Sequence, residues 1–233
     1  MPSADVFGFA CVLLVNGLAG ATTLIGGVRT GDIARLFRTF ADPAPFAFAI
    51  WSLVYLLTLF FIACWSEAHT ALFLGVCAVN CLWLVTWGWR FFVPAAFLLV
   101  AYAVLLFQLW LTKGQLSLHL GQIAISVHFG WVLCANTVSI PLSIGFVTGR
   151  LVPAWLTALL LAGLAGMSFF LQDVYICFVV VWALFAIRHM QMQRIQRKVT
   201  DGPSSKLIVQ TCQVLMALLV VLIFVLLLWW KKY

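Results

Sequence analysis

Eight long apolar stretches, separated by short polar breaks, run the length of this chain. A helix rises about 1.5 Å per residue and a bilayer core is about 30 Å thick, so a membrane span takes about 20 apolar residues. On that measure the pattern predicts helices at 6–25, 46–65, 71–89, 91–111, 123–146, 152–171, 174–188 and 207–230. Clear polar breaks separate most of them: GGVRTGDIARLFRTFADPAP, WSEAHT and LTKGQLSLHLGQ. Two breaks are slight. Only Arg90 is charged between the third and fourth spans, and only Gln172 and Asp173 interrupt the run from Leu151 to Ile187. As one helix that run would be about 55 Å long, too long for one crossing, so Asp173 is expected at a tight hairpin before a short seventh span.

Composition agrees. Apolar residues make up 65% of the 233 and charged residues 8%, with mean hydropathy +1.15. A soluble domain is about 45–50% apolar and about 25% charged, so this chain lacks the polar sequence to cover a water-soluble core. The expected fold is an all-α polytopic membrane helix bundle of eight transmembrane helices. The seven cysteines, at 11, 64, 77, 81, 134, 177 and 212, all lie in apolar runs. Cys77 and Cys81 share a helix face, but no further Cys or His completes a zinc set, and the cysteines read as small packing residues.

Charge adds orientation. With eight spans, Arg29, Arg35, Arg38, Arg90, Arg150, Arg188, Arg194, Arg197, Lys198 and Lys206 fall on one side, and Lys113, Lys231 and Lys232 on the other. The positive-inside rule then puts both termini on the non-cytoplasmic side. The net charge of +7 reads as this topology signal and not as a nucleic-acid surface. The cluster from Arg188 to Lys206 also suits anionic headgroups. The N-terminus, MPSADVFGF, lacks a basic leader and reads as mature protein. In TGDIARLFRTFA, Asp32 is expected to cap a short helix whose Ile33, Leu36, Phe37 and Phe40 form an apolar stripe with Arg35 and Arg38 off it. Such a helix would lie on the membrane or fold over the bundle end.

The chemistry inside the spans is amide and aromatic. Charges are nearly absent there, which excludes a carboxylate relay or an arginine voltage sensor. No serine stands with a histidine and an acid, no carboxylates pair, and no phosphate loop follows a strand, so a non-enzyme is expected. Phe48, Trp51 and Tyr55 recur at i, i+3 and i+7, as do Asn80, Trp83 and Trp87, while SVHFGWVLCANTVSIP offers His128, Trp131, Asn136 and Pro141. Singly, Asn is interhelical glue, His128 a bundle hydrogen-bonder, and terminal tryptophans (Trp65, Trp89, Trp110, Trp155, Trp229, Trp230) interface anchors. Together they describe a wide apolar pocket with a few polar handles, suited to a flat aromatic or sterol-like molecule.

In register, Pro43-x4-Phe48-x2-Trp51-x3-Tyr55, Asn80-x2-Trp83-x3-Trp87 and Trp131-x4-Asn136 resemble the TspO/MBR family of tryptophan-rich sensory and translocator proteins. The match is to a longer branch, over residues 6–146, with the last three spans alike in general layout. The resemblance implies a TspO-like five-helix bundle at 1–147 and three additional transmembrane helices at 148–233. It implies the same orientation as the charges, with the long first loop covering a pocket on the cytoplasmic side. By resemblance, Phe48, Trp51, Tyr55, Asn80, Trp83, Trp87, Trp131 and Asn136 line that pocket and Pro43 sets the angle at which the second helix enters. The implied ligand is porphyrin-, haem- or sterol-like, and no other cofactor is implied. The chain departs from shorter members in carrying Ala49 where they have a second proline, and it has no equivalent of the animal sterol-recognition segment.

Three functions compete on this reading. The first is a sensor, receptor or carrier for a planar hydrophobic ligand. The second is a structural or accessory subunit, in a homodimer or a larger membrane complex, with the extra helices as docking surface and the pocket filled by its own side chains. The third is an enzyme degrading a bound porphyrin, for which the chain shows no catalytic set. Partners are then the bilayer and a small molecule, and the membrane is a bacterial inner membrane or a eukaryotic organelle membrane.

Overall fold

Lipid offers a backbone N–H or C=O no hydrogen-bond partner, so a chain this apolar closes its hydrogen bonds inside helices. The computed structural model describes residues 3–63, 70–115, 119–199 and 202–230, and among them there is no strand. Its helices are α1 (Ser3–Ala21), α2 (Thr30–Leu36), α3 (Ile50–Ala63), α4 (Thr70–Gly88), α5 (Phe92–Thr112), α6 (His119–Thr148), α7 (Ala154–Leu171), α8 (Val174–Gln196) and α9 (Gly202–Trp230). A 3-10 turn at Pro45–Ala49 leads into α3 and extends that span. Eight helices among the described residues are long and apolar enough to cross a membrane. Cys64, Trp65, Lys231 and Lys232, and the side chains of Arg35 and Trp230, lie outside the described residues.

The slight breaks are real turns. Arg90 takes the left-handed conformation (φ 63°) between α4 and α5. Gln172 does the same (φ 51°) after α7, and the Asp173 carboxylate accepts from the backbone N–H of Tyr175 (2.9 Å) and Ile176 (3.3 Å) to cap α8. The seventh span is not short, however. α8 continues to Gln196, because His189, Gln191, Gln193 and Arg194 are accommodated on the helix. Six described cysteines are free, in keeping with packing roles.

Two units compose the chain: Met1–Phe37 with Ile50–Val132, and Arg38–Ala49 with Leu133–Tyr233. This partition runs through α6 and is a different cut from the one at residue 147, which follows chain order. In the first unit α4 packs between α1 and α5. Its loop helix differs from the expected one. α2 begins at Thr30 after an Arg29 N-cap, so Asp32 lies inside its first turn, where a carboxylate favours the helix dipole, and not at the N-cap position. The helix ends at Leu36, which is exposed, so Phe40 is never carried onto the Ile33 face. α2 rests on the ends of α1 and α4, with Thr30 Oγ1 donating to Ala19 O at 3.1 Å. The turn before it needs glycine: at Gly26 (φ 74°) a Cβ would stand 1.8 Å from the carbonyl oxygen of Gly88.

In the second unit α9 packs along α8 and α7. The segment Thr39–Ala49 lies on α8 through buried polar bonds. Arg194 Nη2 donates to Asp42 Oδ2 and Nη1 to Thr39 O, both at 2.6 Å. Asp42 also accepts from Thr39 N (2.9 Å) and Thr39 Oγ1 (2.6 Å). Gln191 Nε2 donates to Phe40 O at 2.9 Å, and Ser205 Oγ of α9 donates to Gln191 Oε1 at 3.1 Å. Ala44 N donates to Ala186 O (3.0 Å) and Trp182 Nε1 to Ala47 O (3.3 Å). Burial pushes the Asp42 carboxyl up, while the Arg194 guanidinium and the Thr39 donors pull it down.

Removing one partner of such a pair strands the other. Arg194→Met should lower stability by about 3–5 kcal/mol, read as an earlier thermal unfolding midpoint in detergent. The double variant Arg194→Met, Asp42→Leu should recover part of that loss.

Candidate ligand-binding site

In the first unit, rings from α3, α4 and α6 come together. Trp51 is the centre of what results. Its ring stacks on Tyr55 (centroids 5.6 Å) and Trp83 (6.3 Å), and meets His128 (6.1 Å) and Trp131 (6.3 Å) edge to face. Offset and edge-to-face pairs at these separations are the favoured aromatic geometries. From Trp83 the contacts continue to Trp87 (6.2 Å), Phe92 (5.4 Å) and Phe37 beside α2 (4.9 Å), and from Tyr55 to Phe9 of α1 (6.3 Å). A continuous aromatic column therefore runs from the loop helix into the middle of the bundle.

A polar chain stands beside it. Asn80 Nδ2 donates to Tyr102 Oη at 2.9 Å, and that oxygen lies 2.5 Å from His128 Nε2. All three side chains are buried. Beyond His128, away from the tryptophans, is a cavity of about 10 Å³ with Thr58 and His128 as its polar lining, room for a single water. Its other walls include Phe73, Val76, Leu106 and Ile125.

The sequence-predicted residues divide. Trp51, Tyr55, Asn80, Trp83, Trp87 and Trp131 come together in the first unit. Pro43, Phe48 and Asn136 belong to the second. Pro43 is buried in the segment held on α8, and Asn136 is half-buried on α6. Phe48 is 39% exposed. It was placed on the face of Trp51 and Tyr55 by α-helical spacing, but it sits in the 3-10 turn, whose tighter winding breaks that phase. Tyr102 was missed. Its signal was slight, a single phenol in the middle of an otherwise apolar span.

Four polar atoms of the cluster are buried with no hydrogen-bond partner among the described residues: Tyr55 Oη, Asn80 Oδ1, Trp83 Nε1 and Trp87 Nε1. Stranding a buried donor or acceptor costs about 1–3 kcal/mol, so four neighbouring ones form an unusual concentration. The other tryptophans behave differently: Trp89, Trp155 and Trp229 are exposed, and Trp110 has the Lys113 ammonium 4.3 Å from its ring centroid, as interface residues do.

Fold and cluster define an all-α polytopic membrane protein with a tryptophan-rich interior. A family model described as TSPO-like protein matches residues 3–225, so the match runs through all eight spans. The chain belongs to the TSPO-like protein family. Neither a curated protein nor a solved structure matches it.

Two tyrosines, Tyr55 on α3 and Tyr102 on α5, should respond oppositely to loss of the hydroxyl. Tyr102→Phe strands Asn80 and His128 and should cost about 1–3 kcal/mol. Tyr55→Phe removes an unmatched group and should leave stability unchanged or raise it by up to about 1 kcal/mol. Thermal unfolding of both variants in the same detergent checks the contrast.

Proposed function

We propose that this protein binds a planar hydrophobic small molecule, tetrapyrrole- or sterol-like, in its tryptophan cluster and acts as a sensor, receptor or carrier for it. It is a binding protein and not a catalyst on this reading, integral to its membrane, with both termini on the non-cytoplasmic side as the charge distribution favours. The observation that carries the proposal is the set of four unmatched polar atoms around closely packed indole rings. A protein that evolved only to pack would fill those positions with groups that need no partner. A ligand with polar edges and apolar faces supplies what lipid and the surrounding side chains do not. Function leaves such a mark: stability is given up where a site waits for something.

Protoporphyrin IX titrated into the purified protein should quench tryptophan fluorescence saturably. Trp51→Ala and Trp131→Ala, if still folded by thermal unfolding, should weaken binding at least about tenfold, a loss of about 1.4 kcal/mol. Unchanged affinity in both variants removes the cluster as the binding site.

A second reading has its own support. The rings of Tyr55, Trp83 and Trp131 all pack on Trp51, so the space around it is occupied by side chains. That is what a structural or accessory subunit, in a homodimer or larger complex, would show. Purification in mild detergent distinguishes the two: stoichiometric partners without saturable ligand binding favours the subunit.

A further inference from the structure

Asn80 is held by two residues that the tryptophan pattern does not include. Its carboxamide nitrogen donates to Tyr102 Oη, and that oxygen lies against His128 Nε2. A phenol has one proton. With its oxygen already accepting from Asn80, Tyr102 gives that proton to Nε2, which makes His128 the neutral tautomer protonated on Nδ1. The consequence is felt at the other end of the chain. With its nitrogen committed, Asn80 is left with Oδ1 as a buried acceptor, and no described residue donates to it.

Further along the same helix the unmatched groups change sign. Trp83 Nε1 and Trp87 Nε1 are donors only, and both lack an acceptor among the described residues. Trp83 lies three residues and Trp87 seven residues beyond Asn80, about 5 and 10 Å along α4. Each of these side chains is neutral in its ordinary state, so the polarity recognised is that of hydrogen bonds and not of charge.

We infer that Tyr102 and His128 are positioning residues that set the polarity of the bound molecule: a hydroxyl or N–H donor meets Asn80 Oδ1, and a carbonyl or ether acceptor about 5–10 Å away meets the indole N–H of Trp83 or Trp87. This rests on the ligand-binding reading above and specifies the ligand further. A rigid, flat ring system with a hydroxyl at one end and a ketone at the other meets the description. A hydrocarbon of the same shape leaves every one of these groups unanswered, and a site built to bond a hydroxyl discriminates strongly against a ligand without one.

Tritiated estrone is a suitable probe, with a hydroxyl and a ketone at opposite ends of a rigid skeleton. It is bound to the full-length protein in detergent and competed with its 3-methyl ether, which has no donor, and its 17-deoxy analogue, which has no ketone. Both competitors should be at least about tenfold weaker than unlabelled estrone. In Tyr102→Phe the preference for the free hydroxyl should collapse towards onefold while the preference for the ketone persists. A merely structural role for Tyr102 would weaken all three ligands alike and overturns the inference. So does a wild-type protein that binds estrone and its methyl ether equally, a comparison that needs no variant to fold. Saturable porphyrin binding without estrone binding also overturns it, with the ligand-binding reading left standing. Absence of saturable binding by either probe removes both.

Discussion

Polar groups inside a bilayer have nowhere to turn but the protein itself, and this structure depends on how that constraint is met. The second unit meets it most fully where the segment before α3 lies on α8, while Ser139 Oγ and Arg188 Nε have no partner among the described residues. Asp42 and Arg194 bond to each other and to Thr39, and Gln191 bridges Phe40 and Ser205. A buried ion pair seldom adds net stability over apolar packing, because removing two charges from water costs as much as their attraction returns. What it does supply is geometry. A guanidinium with two short bonds accepts few alternative positions for the segment it holds. The loop before α3 therefore lies on α8 in one register, with the Phe46 ring edge-on to Trp182 at 5.3 Å.

The first unit, too, meets the constraint only in part, and there the unmatched atoms gather in one place. Asn80, Tyr102 and His128 close a chain of hydrogen bonds, and around them four polar atoms stay unmatched. Natural proteins leave few buried groups unpaired, and those that remain call for a reason. Here they share a neighbourhood with the packed rings of Trp51, Trp83 and Trp87. Unmatched donors, a matched relay and broad apolar faces in one place are the ingredients of small-molecule recognition. The tryptophans of this chain thus divide, with Trp89, Trp155 and Trp229 exposed and Trp51, Trp83, Trp87 and Trp131 packed on one another.

Most of the architecture was legible in the residues because the governing physics is one-dimensional. Span length follows from bilayer thickness, and the turns at Arg90 and Asp173 follow from the length of the runs they interrupt. Six of the nine proposed site residues came together because helical spacing within a span survives folding, as it does for Asn80, Trp83 and Trp87 on α4. The failures have equally local causes. Phe48 fell out of phase where the chain winds as a 3-10 turn, α2 stopped before Phe40, and α8 outran the short span drawn for it.

The sequence by itself determined that this is an eight-span, all-α membrane protein, because hydrophobic length and the absence of charge leave no soluble alternative. It also carried the family resemblance, in the order and spacing of its tryptophans and asparagines. Only the tertiary structure decided which polar groups are answered. Arg194 and Asp42 are 152 residues apart, and along the chain Arg194 reads as a topology charge. Tyr102 and His128 are 26 apart, on different helices, and nothing along the chain pairs them. Hydrogen-bond partnership depends on distance and direction in space, which spacing along one helix does not convey between helices. The unmatched atoms of Tyr55, Asn80, Trp83 and Trp87 became visible only once every neighbour had been placed.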